Sequence, residues 1–133
     1  MAEHLARARL KSILGPNARI ASAGMRPQGK ADTKNAVATL QAAFGIDASS
    51  HTPRGVHDID PTTFDLVVSI DDHRTNRIAN AVRTVGIPPE QHVAWTINGP
   101  WGGDHTEYEA SALAIVKALA QLRKRIAQAE PSA

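Results

Sequence analysis

Apolar residues recur at helical spacing in four parts of the chain and therefore predict four helices. The first helix is already under way at Met1 and is stopped at Gly15. Its apolar face is formed by Ala6, Leu10, Ile13 and Leu14, and its solvent face by Glu3, Arg7, Arg9 and Lys11. The second helix is capped by Asp32 or Thr33 and ends at Gly45. Its apolar stripe is Val37, Leu40 and Phe44.

The third and fourth helices lie in the second half of the chain. The third follows Asp71 and Asp72 and carries apolar positions at Ile78, Val82 and Val85. The fourth is long and closes the chain, with a predicted buried stripe of Leu113, Val116, Leu119, Leu122 and Ile126. Residues 130–133 resemble a frayed tail, so residues 1–129 are expected to form one domain.

Three segments between the helices are predicted strands. Residues 19–23 form a weak candidate, residues 64–70 the best one, and residues 92–97 the third. The nearly continuous apolar run at 64–70 suits a parallel strand that is covered on both faces. Alternating helices and strands predict an α/β fold with an open, mainly parallel sheet flanked by helices. The chain begins with a helix, whereas such folds normally begin with their central strand.

The composition of the chain excludes several classes of function but does not identify one. The chain has 133 residues and a net charge of +2, so its charge gives little reason to expect nucleic acid as a partner. Because the sequence has no Cys, disulfides, thiolate metal sites and a cysteine nucleophile are excluded. No apolar run is long enough for a membrane span, and the N-terminus lacks a signal-peptide layout. We therefore expect a cytoplasmic protein without a membrane partner.

The polar residues alone give no clear catalytic site. No histidine pair stands at helical ligand spacing beside a carboxylate, so we expect no metal and no cofactor. The histidines are His4, His51, His57, His73, His92 and His105. Asp71 and Asp72 suit the positive end of a helix dipole. The alternative is that they form a carboxylate pair for metal or acid–base chemistry. Gly102 and Gly103 indicate only a turn, because no phosphate-binding glycine motif surrounds them.

Five sequence motifs, in order, resemble those of the low-molecular-weight protein tyrosine phosphatases and the arsenate reductases that share their fold. The motifs are Met1-Ala2-Glu3, Ser22-Ala23-Gly24, residues 44–54 with Ser50, His51 and Arg54, residues 64–71, and residues 95–103. Together they span nearly the whole chain. The resemblance implies the phosphotyrosine protein phosphatase I-like fold with its first, central strand missing.

The departures from the family concern its chemistry. The resemblance places the C-x5-R phosphate-binding loop before Met1, and no Cys is present to act as nucleophile. Gly99 occupies the position of the family's general acid and has no proton to give. We therefore expect no catalytic residue and a catalytically inactive protein. The remaining candidate binding residues, suited to an oxyanion or another small ligand, are Trp101, Trp95, Asn98 and Ser22. Ser22 matches a serine that supports the loop in the family, and here it is expected to have nothing to support.

The missing strand suggests how such a protein could act. It would leave a vacant lane in the sheet between residues 19–22 and 66–70, with unpaired backbone groups along both sides. Either the two strands close up or another chain covers that lane, and we expect the second, by binding or self-assembly, as a homodimer or with a protein partner. The alternative is a truncated member of an active phosphatase or arsenate reductase whose loop lies upstream of Met1. Gly99 favours true loss of activity, because truncation alone would have kept the acid.

Overall fold

Four helices and a small parallel sheet form the described part of the computed structural model, which covers residues 1–24, 30–52, 54–99 and 104–129. In chain order the elements are α1 (Ala2–Leu14), α2 (Lys30–Phe44), β1 (Val67–Asp71), α3 (Arg77–Thr84), β2 (His92–Thr96) and α4 (His105–Ala129). Short 3-10 turns lie at Val56–Asp58, Pro61–Thr63 and Pro89–Gln91. The predicted α/β class and all four predicted helices are confirmed.

Helix α1 ends as predicted but buries a residue that was expected to face solvent. Gly15 adopts a φ of 84°, and its N–H donates to the Lys11 carbonyl, which closes the last turn. Leu5 and Leu10 are buried. Glu3 is also buried, so its assignment to the solvent face was wrong. Helical periodicity could not show this, because the groups that cover Glu3 come from other parts of the chain.

Helix α2 is present but begins earlier than predicted. It starts at Lys30, so Asp32 and Thr33 lie inside the helix and the prediction that one of them caps it was wrong. The C-terminal prediction is confirmed, because Gly45 has a φ of 65° and its N–H donates to the Gln41 carbonyl. Leu40 is almost fully buried in the middle of the helix.

The sheet consists of β1 and β2, which run parallel. Their register pairs Val67 with His92 and continues to Asp71 with Thr96. The predicted parallel orientation of the best strand is therefore confirmed, although β1 begins three residues later than expected. The reason is the 3-10 turn at Pro61–Thr63, which Asp60 caps and which takes up the backbone just before the strand.

Residues 19–23 do not form the predicted strand. Within the described ranges, this part of the chain pairs only through one parallel bridge between Gly24 and Gly55. Gly24 donates to the Arg54 carbonyl at 2.9 Å and accepts from the Val56 N–H at 3.1 Å. A strand is defined by a ladder to a neighbouring strand, and no described strand runs beside residues 19–23.

The core lies where α4 packs on α1 and α2. On α4 the buried apolar residues are Tyr108, Ala112, Ile115, Leu119 and Leu122. The predicted stripe was correct for Leu119 and Leu122 but wrong for Leu113, which is 59% exposed. Helix α3 packs separately against β1. Over the described ranges, no helix combines the length and the hydropathy needed to cross a membrane.

Candidate functional site

A buried carboxylate at the start of α1 joins three of the motifs that the sequence analysis singled out. Glu3 Oε1 accepts a hydrogen bond from Ser22 Oγ at 2.9 Å, and Arg54 Nη1 lies 3.8 Å from the same oxygen. Arg7, one turn along α1, places Nη2 at 2.8 Å from Glu3 Oε2. Arg7 Nη2 also donates to the Ile20 carbonyl at 2.8 Å, so it ties residues 19–23 to the helix. Ser22 therefore donates to the carboxylate of Glu3, and the expectation that it has no phosphate-binding loop to support stays a prediction.

The charge of Glu3 is set by two opposing effects. Burial raises the pKa of Glu3, since water no longer solvates the carboxylate. The hydrogen bond from Ser22 and the positive charge of Arg7 act in the opposite direction and outweigh burial. The pKa of Glu3 is therefore lowered from its usual value, and the side chain is an anion at neutral pH.

Two of the six histidines meet beside this carboxylate. His4 Nε2 and His51 Nδ1 lie 2.9 Å apart, close enough for the N–H of one ring to donate to the other. The rings meet edge to face at 73°, and His51 Nδ1 lies 3.8 Å from Glu3 Oε2. Burial, reinforced by His51, lowers the pKa of His4, and burial likewise lowers the pKa of His51 despite the nearby Glu3. Both imidazoles are therefore neutral at neutral pH, and one of the two facing nitrogens carries the proton that the other accepts.

An open cleft with three arginines lies next to the Glu3 network. It has a volume of about 320 Å³. Its lining residues are Arg7, Arg19, Ile20, Ala21, Arg54, Asp58 and Ile59. The Arg19 guanidinium stacks over the Phe64 ring, 4.5 Å from its centroid. Apart from Arg54, which lies in a family motif, no sequence pattern predicts that these residues line a cleft. They come together only through folding.

The predicted binding residues lie in separate surroundings. Asn98 accepts a hydrogen bond from the His73 backbone N–H at 3.3 Å, and its carbonyl accepts from Ser111 Oγ at 3.2 Å. Trp95 lies on β2 and packs against the apolar core. Gly99 is exposed, and Trp101 lies outside the described residues. The hydrogen bonds place Ser22 and Asn98 in different networks, so binding of an oxyanion or other small ligand by this set stays a prediction.

Asp71 has the structural role that the sequence favoured. Its Oδ1 accepts the Ile78 N–H at 2.9 Å and its Oδ2 accepts the Ala79 N–H at 3.0 Å. Both donors belong to the first turn of α3, whose free N–H groups and positive dipole end attract a carboxylate. With both oxygens engaged in this way, Asp71 serves to fix α3 at the end of β1.

Comparisons with known proteins agree with the α/β fold of the chain. A model of the family described as low molecular weight phosphotyrosine protein phosphatase matches residues 1–132. Among solved structures, a protein described as an arsenate reductase in reduced state is similar in fold, with a TM-score of 0.61. Its sequence identity is 18%, and the match covers 94% of this chain and 89% of that chain. No curated protein matches the sequence. By the extent of the family match, the chain belongs to the low molecular weight phosphotyrosine protein phosphatases.

Proposed function

We propose that this chain binds another protein chain and does not itself transfer phosphoryl groups. The observation that carries the proposal is the absence of Cys from all 133 residues. The family's reaction uses a thiolate as its nucleophile, and only a cysteine side chain can supply one. Gly99, at the position of the general acid, adds support because it cannot protonate a leaving group.

The edge of β1 supports binding as the remaining role. The Asp71 carbonyl accepts the Ile97 N–H at 2.9 Å and so points towards β2. Successive residues of a strand direct their backbone N–H and C=O groups to opposite edges. The backbone groups of Ser69 therefore also point to β2, whereas those of Val68 and Ile70 point away from it. Among the residues that the structure describes, no backbone group pairs with this second edge.

The occupant that we propose for this edge is a second copy of the chain. Around a two-fold axis, β1 would pair antiparallel with β1 of the other copy. Natural edge strands are usually protected by proline, lysine or a bulge, and residues 67–70 are Val-Val-Ser-Ile without any of these. Pairing would satisfy the outward N–H and C=O groups of Val68 and Ile70 and cover the apolar side chains beside them.

Sedimentation velocity over a dilution series tests the homodimer. We expect a dimer at high concentration that dissociates on dilution. The Ile70→Pro variant removes an outward N–H without removing a bond to β2, so it should dissociate at a higher concentration than the wild type. A wild-type protein that is folded and monomeric at every concentration would overturn the proposal.

Amide hydrogen exchange on the unmodified protein provides a test that does not depend on folding of a variant. The amides of Val68 and Ile70 should exchange faster on dilution, because they are protected only in the dimer. The amides of Ser69 and Asp71 bond to β2 and serve as internal controls. Equal exchange of Val68 and Ile70 at high and low concentration would contradict pairing at this edge.

The alternative, an active phosphatase or arsenate reductase of which this chain is a part, is favoured by one observation. Three family motifs that flank the phosphate-binding loop still meet, at Glu3, Ser22 and Arg54. Coding DNA upstream of Met1 that encodes an in-frame strand and C-x5-R would support this alternative. For the chain as given, vanadate-sensitive turnover of p-nitrophenyl phosphate would refute the proposed lack of catalysis.

A further inference from the structure

Three metal-ligating side chains converge at the start of α1. The ligand atoms of Glu3, His4 and His51 all lie within 4.8 Å of one another. Two of these residues are adjacent in sequence, and the third arrives from the loop after α2. The bond between His4 Nε2 and His51 Nδ1 shows which nitrogen of each ring faces the common point. This arrangement does not involve the edge of β1.

We propose that Glu3, His4 and His51 bind a divalent first-row transition metal ion, with Zn²⁺ as the preferred probe. Two imidazole nitrogens and one carboxylate oxygen are a donor set that Zn²⁺ accepts, leaving further positions for water or another ligand. Tetrahedral bonds of about 2.0–2.1 Å place two nitrogen ligands roughly 3.3 Å apart. Metal binding would therefore displace the proton between His4 Nε2 and His51 Nδ1, and their separation of 2.9 Å would widen by a few tenths of an ångström.

The neighbours of Glu3 would orient its carboxylate and would also lower the affinity of the site for the metal. Ser22 donates to Glu3 Oε1 at 2.9 Å and fixes the plane of the carboxylate, as hydrogen-bond partners of metal ligands commonly do. Arg7 lies 2.8 Å from Oε2 and Arg54 lies 3.8 Å from Oε1, so two cations compete with the metal for the carboxylate. The two histidines consequently provide most of the affinity, and their variants give the sharper test.

Isothermal titration of the full, untagged, chelator-treated chain with Zn²⁺ tests the site. We expect one saturable equivalent for the wild type. His4→Gln and His51→Gln should each weaken binding at least about tenfold, because each removes a direct ligand. Zn²⁺ should also raise the melting temperature of the wild type more than that of either variant.

His105→Gln is the matched control. His105 Nε2 lies 3.0 Å from Glu109 Oε1 on the exposed side of α4, a histidine–carboxylate pair at helical spacing to which the described residues add no third ligand. This variant should bind Zn²⁺ as the wild type does. If His105→Gln abolishes binding, or if His4→Gln and His51→Gln leave it unchanged, the proposal is overturned. The absence of saturable binding by the wild type would also overturn it.

Co²⁺ provides a second measurement on the unmodified protein. Bound Co²⁺ should give visible d–d absorption, and its paramagnetic shifts should be largest for the amides of Glu3, His4 and His51. Because no substitution is involved, this result does not depend on whether a variant folds. Paramagnetic shifts centred on any other group of residues would refute the assignment.

Discussion

At the scale of single residues, the carboxylate of Glu3 has the most demanding environment. Its side chain is 5% exposed and is held by Ser22 and Arg7, with Arg54 nearby. Glu3→Gln removes the negative charge and leaves these donors with a weaker acceptor. We expect it to lower the free energy of unfolding by about 1–3 kcal/mol, measured by urea denaturation.

Glu109→Gln is the control for this substitution. Glu109 also contacts a side chain one turn away in its own helix, with its Oε1 3.0 Å from His105 Nε2, but its side chain is 41% exposed. Exposed pairs contribute little, so the change in unfolding free energy should stay below about 0.5 kcal/mol. Equal effects of the two substitutions would show that the buried network around Glu3 adds no stability.

A second residue-scale prediction concerns His92 on β2. Burial, and after it the positive charge of Arg83, lowers the pKa of His92 from its ordinary value of 6.5. Its Nε2 lies 2.8 Å from Ser69 Oγ. The folded state therefore favours the neutral form of the ring. The free energy of unfolding that this adds is complete above pH 6.5 and is lost as the pH falls below that value.

Proton NMR titration of the His92 ring should therefore give a pKa below 6.5. The unfolding free energy of His92→Gln should fall less than that of the wild type as the pH is lowered from 7.5 to 5.5. His4 and His51 titrate in both proteins, so the difference between the two isolates His92. A pKa of His92 above 6.5 would contradict the prediction.

At the scale of elements, α4 has one buried face and one exposed face. Leu119 is 2% exposed, whereas Leu113 is 59% exposed. Because both are helical leucines, replacement by alanine changes helix propensity equally. Leu119→Ala should cost about 2–5 kcal/mol of unfolding free energy, and Leu113→Ala less than about 0.5 kcal/mol, both measured by urea denaturation. Comparable losses would mean that the face of α4 has been assigned wrongly.

The junction between β1 and α3 gives another element-scale prediction. Asp71→Ala leaves the Ile78 and Ala79 N–H groups without their acceptor, at a cost of about 1–3 kcal/mol in the free energy of thermal unfolding. Asp71→Asn keeps one acceptor oxygen and should cost less. If the two variants are equally stable, the carboxylate does not act through these hydrogen bonds.

The helices could be predicted from the sequence because their apolar spacing is local, and because glycines end α1 and α2, at Gly15 and Gly45. Residues 19–23 could not be assigned correctly, because a strand depends on a neighbour that the local sequence does not contain. The site shows the same limit. Its family motifs were visible, but the meeting of His4 with His51, 47 residues apart, and the burial of Glu3 arise only from tertiary folding.

At the scale of the whole molecule, the core joins elements that are far apart in sequence. Helix α4 packs on α1 and α2, and Arg123 on α4 reaches Ser12 on α1 across 111 residues. During synthesis, α1 leaves the ribosome long before the helix that covers its apolar side. Until α4 has been translated, the surface of α1 that packs against it stays exposed, and exposed apolar surface makes a nascent chain prone to aggregation.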